Sequence, residues 1–336
     1  MRLFVLASFP MVGLLLAAAL AGGVFVVMAL LYITLLVVVL DKTEGPALPE
    51  TKGAARDADA VSITLAAAHF LVLFYTLWAL GGDRIGTVEK IGLFVAAGLF
   101  MGQVSNANAH ELIHRPMRGL HRLGMWVYIS MLFGHHTSAH VLVHHRHVAT
   151  RMDPNTSRKG EGFYAYFLRA WIGSFRQGYR AEAARLSRVN RPAWRNPYLV
   201  YVGGAALFLA LSFMLGGLKT LVLYVALTGY AQSQLLLSDY VQHYGLTRAM
   251  DQAGKPHPVG AQHSWNSPHW FSSALMLNAT RHSDHHAHPA RPSTALTLPE
   301  DAPMLPKPLP VMASIALIPP LWRRIMDPAV DRWQHA

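Results

Sequence analysis

Long apolar runs dominate the first third of this 336-residue chain. Residues 3–40 are almost unbroken apolar sequence, which is too long for one membrane-spanning helix of about 20 residues. Gly22-Gly23 divides the run and predicts a tight hairpin between two spans. An alternative is a secretory signal peptide, because Arg2 is followed by an apolar run and by Ala19-Leu20-Ala21. Since the apolar run continues straight to Leu40, we favour a segment that is not cleaved and forms two membrane spans.

The same hydropathy pattern predicts four more spans along the chain. The six predicted spans are 4–21, 24–40, 61–80, 88–109, 198–215 and 218–240. Residues 41–60 are predicted to be a solvated loop. The apolar patch Val311–Leu321 is too short to cross a bilayer and contains Pro319-Pro320, so it is predicted to lie at the interface. The prediction is an all-α integral membrane protein with six transmembrane helices, in which residues 1–336 form a single domain.

Charge supports this prediction and orients the spans. Only 14% of the residues are charged, against about 25% in soluble domains. Of the 29 Lys and Arg residues, 14 lie in segment 110–197 and 8 in segment 241–336, which share one side of a six-span chain. Because Lys and Arg mark the cytoplasmic side, both segments and both termini are predicted to be cytoplasmic. The net charge of +11 then reflects topology and contact with anionic membrane lipid, and no nucleic-acid motif accompanies it.

The chain contains no cysteine. This excludes disulfides, iron–sulfur clusters, haem-thiolate ligation and cysteine-based zinc sites within the chain. The chain therefore cannot itself hold a cysteine-ligated electron carrier.

Histidine is concentrated beside the predicted span ends, with nine of the 19 histidines in 110–147 and eight in 243–288. Three clusters have helical spacing, so each is predicted to present its histidines on one helix face. They are His110 and His114; His140, His144 and His145; and His282, His285 and His286. The last three are expected to converge on one point, with Asp284 between them orienting a ligand through its second ring nitrogen. By contrast, the lone His69 inside the third span is expected to be an interhelical hydrogen-bond partner.

The number of histidines indicates a dinuclear site. The eight clustered histidines and His243, at the end of the sixth span, make nine imidazoles, which is too many for one ion. Two ions with four or five ligands each fit this number. Imidazole suits iron, copper and zinc alike, so the ligand type leaves the metal open.

Four ordered motifs resemble the membrane-bound alkane 1-monooxygenase family, within the group of integral-membrane diiron hydroxylases and fatty acid desaturases. The motifs are Asn108 to Arg115; His140 to Thr150 with Asp153-Pro154; Tyr240 to Leu246; and Arg281 to Pro289. The segment His263 to Ser267 is also similar to the family. The similarity covers roughly residues 100–295.

The resemblance implies that two iron ions are held by His110, His114, His140, His144, His145, His243, His282, His285 and His286. It also implies a non-haem diiron monooxygenase of the bacterial cytoplasmic membrane, which uses O2 to convert the terminal methyl of an n-alkane to a primary alcohol. The hydrocarbon would enter from the bilayer, and a rubredoxin-type donor with its NAD(P)H-dependent reductase would supply electrons. The roles of the other histidines stay open: His121, His135, His136, His147, His263, His269 and His288.

Four alternatives remain. Two keep the same metal class: an alkyl-aromatic (xylene-type) hydroxylase and a lipid desaturase. A zinc protease built on His110-Glu111-x-x-His114, with Glu111 as general base, leaves seven ligands unexplained. A metal transporter should place ionisable groups at mid-bilayer, whereas these histidines lie at span ends. For the hydroxylase, a narrow apolar tunnel between spans is predicted, closed at one end by the diiron site. Four small residues of the fourth and sixth spans are expected either to serve helix packing or to line this tunnel: Gly98, Gly102, Ala226 and Gly229.

Overall fold

The computed structural model describes residues 1–45 and 55–334, and these residues contain helices but no β-strand. We number the helices α1 to α12. They are α1 Arg2–Ala21, α2 Val24–Leu40, α3 Ala55–Gly81, α4 Thr87–Ile113, α5 Arg118–Ser130, α6 (136–147), α7 Phe163–Arg188, α8 Tyr198–His243, α9 Trp270–Leu275, α10 His282–Ala287, α11 Leu309–Ala316 and α12 Pro319–Gln334.

Six apolar segments run through these helices. Helices α1, α3, α4 and α8 are long and apolar enough to cross a membrane, and α2 is a shorter apolar helix. Helix α8 has 46 residues, and Gly216 and Gly217 interrupt it with non-helical backbone angles, which leaves two apolar halves. This pattern identifies an integral membrane protein. The first hairpin turns at Gly22 and Gly23, whose φ angles of 65° and 57° favour glycine.

Helices α3 and α4 extend beyond the spans predicted within them. Helix α3 begins at Ala55, six residues before the predicted start of the third span, so the predicted loop 41–60 is partly helical. Residues 46–54 of that loop lie outside the described residues. Helix α4 continues to Ile113, past the predicted end at 109, and so carries His110 on the same helix as the apolar span.

The polar segments are largely helical and pack on the spans. Helix α5 packs against α3 and α4, α7 lies along α6 and α8, and α11 packs against α8. His69 of α3 and Ser130 at the end of α5 lie 2.8 Å apart (Nε2 to Oγ), which is the interhelical contact expected for this histidine. The patch Val311–Leu321 divides between α11, where Met312 and Ala316 are buried, and the start of α12.

Two π-helical turns lie close to the histidine motifs. One, Met101–Ser105, interrupts α4 two turns before His110, and the other, His140–His144, forms the centre of α6. In a π-turn the hydrogen bond joins residues five apart, so the faces of the helix shift relative to an α-helix. π-turns of this kind are frequent at functional sites.

Candidate metal centre

All nine predicted histidines come together at the ends of α4 and α8, and they divide into two groups. We call these the five-histidine group and the four-histidine group. In each group every histidine contributes one ring nitrogen, and these nitrogens all lie within 4.8 Å of one another. The five-histidine group contains His110, His114, His140, His145 and His285, and the four-histidine group contains His144, His243, His282 and His286.

The structure corrects how two of the motifs share their ligands. The i, i+4 spacing of His140 and His144 predicts one common face, but the π-turn places His140 with His145 and directs His144 to the other group. Likewise, the three histidines of α10 do not converge on one point. His282 and His286 join the four-histidine group, and His285 joins the five-histidine group.

Distances within the five-histidine group fit a shared metal ion. Nε2 of His140 lies 2.7 Å from Nε2 of His110 and 3.0 Å from that of His145, which is 3.1 Å from Nε2 of His285. A neutral ring nitrogen has one proton or one lone pair in the ring plane, so a hydrogen bond can satisfy only one of the two neighbours of His140. Metal–nitrogen bonds of about 2.1 Å at right angles would instead place neighbouring ligand atoms about 3 Å apart. The Nε2 atom of His114 is buried and has no hydrogen-bond partner among the described residues.

The four-histidine group has the same character and is more enclosed. Nε2 of His282 lies 3.0 Å from that of His243 and 3.1 Å from that of His286. The Nε2 atom of His144 is buried without a partner among the described residues. All four residues of this group are buried, whereas three of the five-histidine group are only partly buried. The donor set therefore fits a metal ion in each group.

Electrostatics keep most of these imidazoles in the metal-binding, neutral form. Burial, followed by the charges of neighbouring histidines, lowers the pKa of His114, His140, His145, His282, His285 and His286 well below the ordinary value. Burial also acts on His144, but the Asp153 carboxylate outweighs it and raises the pKa of that ring.

Asp153 is a buried carboxylate that contacts one of the nine histidines. Its Oδ2 atom lies 2.8 Å from Nδ1 of His144, which leaves Nε2 of that ring directed into the four-histidine group. The side chain of Thr156 and the backbone of Asn155 donate hydrogen bonds to the same carboxylate, at 2.7 Å and 3.0 Å. A carboxylate behind a ligating histidine fixes the ring and raises its basicity.

The prediction that Asp284 orients a ligand is wrong. Its carboxylate is 2.7 Å from Arg291 and 2.8 Å from Nδ1 of His288, and it accepts a hydrogen bond from the backbone of Thr297. Burial opposes ionisation, but these hydrogen bonds outweigh it and lower the pKa of Asp284. Its contacts therefore anchor the loop after α10.

Glu111 is not arranged as the general base of a zinc protease. Its carboxylate pairs with Arg115 at 2.9 Å and accepts a hydrogen bond from the backbone of Ser293 at 3.2 Å. Both contacts are buried, and the contact with Ser293 joins the end of α4 to the loop after α10.

The seven histidines of open role lie outside both groups. The ring of the buried His136 is 4.9 Å from that of His140 between centroids, and the partly buried His147 lines a basic cleft described below. The other five are hydrogen-bonded elsewhere: His121 to Ile113, His135 to Ser174, His263 to Gly260, His269 to Ser267 and His288 to Asp284.

Two adjoining cavities lead from the apolar surface towards the metal centre. The outer groove has a volume of ≈ 490 Å³ and lies between α2, α4, α8 and α11. The inner cavity, ≈ 40 Å³, shares Gln103, Gln234 and Pro310 with the groove and reaches Asn106, four residues before His110.

One of the four small residues of the fourth and sixth spans lines a cavity. Gly102 lines the inner cavity, where a Cβ atom would lie 2.4 Å from Cβ of Gln234. At Gly98 an added Cβ would meet the ring of Tyr230 at 2.2 Å, so this glycine permits close packing. Ala226 and Gly229 are exposed on the outer face of α8, away from the cavities. Of the two roles expected, Gly98 therefore has the packing role, and Ala226 and Gly229 line neither of the two adjoining cavities.

A basic cleft of ≈ 280 Å³ lies between α6 and α7. Arg146, directly after His145, forms one wall with His147. The other wall belongs to α7 and carries Arg180, Arg185 and Arg188. All four arginines are exposed.

Together, the fold and the two histidine groups define a histidine-rich integral-membrane protein of the fatty acid desaturase group. The sequence model of the fatty acid desaturase family matches residues 90–311, which include all nine histidines. The chain is 34% identical to alkane 1-monooxygenase 1 of Alcanivorax borkumensis over 80% of its own length and 66% of that protein. It is 32% identical to alkane 1-monooxygenase 2 of Pseudomonas aeruginosa over 88% of its own length and 81% of that protein.

Within this group, the chain belongs to the membrane-bound alkane 1-monooxygenase family, and it is an oxidoreductase. A more distant relative is the hydroxylase component of the xylene/toluene monooxygenase of Pseudomonas putida, which is 31% identical over 74% of this chain and 66% of that protein.

Proposed function

We propose that this chain is a non-haem diiron monooxygenase that hydroxylates the terminal methyl of an n-alkane. The observation that carries the proposal is the pair of all-histidine groups, with nine imidazoles at the ends of apolar helices. Five ligands would hold one iron ion and four the other. When bound, the two ions would supply the activation of O2 that attack on an unactivated C–H bond requires.

We propose that residues 1–336 form one membrane-embedded domain with six spans. The six apolar segments of α1 to α4 and of the two halves of α8 support this layout. The Lys and Arg excess in segments 110–197 and 241–336 favours the cytoplasmic side for both segments and both termini. The membrane would be the bacterial cytoplasmic membrane, as the bacterial relatives suggest.

The substrate would enter from the bilayer through the outer groove. A hydrocarbon has no polar group, so its binding free energy must come from the burial of apolar surface, at about 0.8 kcal/mol per CH2. Ile33, Leu35, Leu99 and Leu237 supply an apolar lining. The methyl group would then pass Asn106 to reach the five-histidine group, whose partly buried histidines leave it the more accessible of the two. One oxygen atom of O2 is inserted into the C–H bond. The other oxygen atom takes up two electrons and two protons and leaves as water.

Two other reactions belong to the same metal class. Similarity to the xylene/toluene hydroxylase component favours an alkyl-aromatic substrate as the second candidate. The family model keeps a lipid desaturase as the third. Product analysis separates them, since they yield a linear primary alcohol, a benzylic alcohol or an alkene.

The first prediction concerns metal content and product. Purified protein in lipid nanodiscs should hold about two iron ions per chain, because nine imidazoles form two groups. With O2 and a reducing system, it should convert n-alkanes from a hydrocarbon panel to primary alcohols. Metal analysis and gas chromatography give both answers. One tightly bound zinc and no iron, or alkenes as the sole products, would contradict the proposal.

Electrons must come from outside, since the chain has no cysteine to hold an iron–sulfur centre. We propose a rubredoxin-type donor, itself reduced by an NAD(P)H-dependent reductase. The basic cleft is a suitable docking surface for an acidic carrier, because Arg146 lies directly beside the ligand His145. Complementary charge mainly accelerates association, and salt screens it.

The second prediction tests this docking surface. Changing Arg146 and Arg180 to Gln should raise the KM for the donor by about tenfold and weaken its dependence on salt. The kcat at saturating donor should change little, since neither side chain is in a histidine group. Arg195→Gln is the matched control, because this exposed arginine stacks on Trp194 outside the cleft. Steady-state kinetics at two ionic strengths make the comparison. An unchanged KM in the double variant would exclude this surface.

A further inference from the structure

Two glutamines occupy the junction between the outer groove and the inner cavity. Gln103 lies in the π-turn of α4, and Gln234 lies in the second half of α8. Both side chains line both cavities. A polar amide inside an apolar span is costly unless it is hydrogen-bonded, and such residues therefore mark functional positions.

Neither amide is satisfied by the described residues. The side-chain oxygen of Gln103 is buried and has no hydrogen-bond partner there. Gln234 likewise makes no side-chain hydrogen bond to a described residue. Its Cβ atom instead lies against Gly102, which brings the two helices close at this level.

The other glutamines of the apolar helices provide the contrast. Gln232 accepts a hydrogen bond from Trp171 and donates one to the carbonyl of Met131, both at 2.8 Å. Gln242 accepts one from Ser238 at 2.9 Å and donates one to the carbonyl of Ala279 at 3.0 Å. Where a glutamine serves packing, this chain therefore satisfies both ends of the amide. The two unsatisfied glutamines are the two that face the cavities.

We propose that Gln103 and Gln234 form a binding site for an uncharged oxygen group, such as an ester, on a hydrocarbon substrate. The inference rests on the proposed function, because it assumes that the chain in these cavities is the one oxidised. An amide offers both a donor and an acceptor, so it pairs with a carbonyl or a hydroxyl, whereas a plain alkane leaves it unpaired. The site carries no charge, which disfavours a carboxylate.

The geometry also sets where on the substrate the oxygen group must lie. Gln103 precedes His110 by seven residues, and Gln234 precedes His243 by nine. At 1.5 Å per helical residue, these separations are about 10 to 14 Å along the helices. An extended chain of roughly eight to eleven carbons bridges that distance. The preferred substrate thus has its oxygen group about that far from the methyl group that is oxidised.

The test compares two isomeric esters and an alkane of similar length. Methyl decanoate places its carbonyl in the predicted range, pentyl hexanoate places it too close to either methyl, and n-dodecane has none. The iron-loaded protein in nanodiscs should favour methyl decanoate over pentyl hexanoate by roughly three- to tenfold in kcat/KM, the effect of one net hydrogen bond. Gln103→Leu and Gln234→Leu should reduce that preference to within about twofold, and n-dodecane, measured beside the esters, reports any general effect of the variants on the cavities.

Thr34→Val is the matched control. Thr34 lines the outer groove, but its hydroxyl already donates to the carbonyl of Leu30 at 2.6 Å, so this variant should keep the preference. No preference in the unmodified protein, or an equal loss for both esters in the glutamine variants, would overturn the inference.

A second measurement does not depend on iron. Methyl decanoate with a ¹³C carbonyl, bound to metal-free protein in nanodiscs, should show a carbonyl stretch at lower wavenumber than in lipid alone, because a hydrogen bond weakens that bond. The shift should disappear in Gln103→Leu and persist in Thr34→Val. Its absence in the unmodified protein would refute the site. If the shift is present but iron-loaded protein oxidises neither ester nor alkane, then the proposed function fails and the binding site stands.

Discussion

His286→Ala should remove one iron ion per chain, from the four-histidine group, and abolish turnover. His114→Ala should lose less iron from the five-histidine group. The reason is the unequal division of the ligands. Losing His286 leaves three imidazoles in the four-histidine group, while losing His114 leaves four in the other group. Changes behind a ligand cost about 10- to 100-fold in metal affinity, so removal of a ligand should exceed about 100-fold.

Iron content per chain and iron affinity, measured by competition with a chelator, give the answer. His136→Ala is the matched control, because this buried ring packs on His140 but belongs to neither group. It should retain about two iron ions. Thermal unfolding of the metal-free proteins identifies any variant that loses iron merely because it does not fold. Equal losses of iron in His286→Ala and His114→Ala would contradict the division into two unequal groups.

Hydropathy was sufficient to predict the apolar helices, and Gly22-Gly23 was sufficient to predict the first hairpin turn. These features depend on local composition and on backbone angles that favour glycine. The family is confirmed, as is the all-helical fold of the described residues. The six crossings and the cytoplasmic orientation stay predictions, because both depend on a membrane.

The partition of the nine histidines could not be predicted, because it depends on a break in helical periodicity. With α-helical spacing, His140 and His144 share a face, whereas the π-turn pairs His140 with His145. The residue types in His140–His144 do not predict that π-turn. On α10 the periodicity is normal, but its three histidines lie between the two histidine groups, so the direction of each side chain decides which group it joins.

Long-range contacts explain the other differences. Asp284 is close to the ligands in sequence, yet Arg291 and Thr297 hold its carboxylate away from them. Gly229 is a small residue of the predicted sixth span, yet it faces outward, since the orientation of α8 is set by its neighbours. The two cavity glutamines lack the hydrogen-bond partners that Gln232 has, and the sequence does not show which amides are paired.

Asp153→Ala should lower the iron affinity of the four-histidine group by about 100-fold, and Asp153→Asn by about tenfold. The carboxylate holds the Nδ1 side of His144, 2.8 Å away, and thereby directs Nε2 into the group. Asparagine keeps an oxygen that can accept the Nδ1 proton but removes the negative charge that raises the basicity of the ring. Alanine removes both, and it also leaves Thr156 and the backbone of Asn155 without their acceptor.

The matched control for Asp153 is Asp284→Asn, because Asp284 is also a buried carboxylate near the ligands but contacts none of them. This control should lower the melting temperature, since it breaks the pair with Arg291, while each folded chain still binds about two iron ions. Chelator competition on the folded fraction separates the two effects. The five-histidine group should keep its ion in all three variants, so iron content should approach one per chain in Asp153→Ala. Equal iron affinities in Asp153→Ala and Asp284→Asn would show that His144 needs no carboxylate behind it.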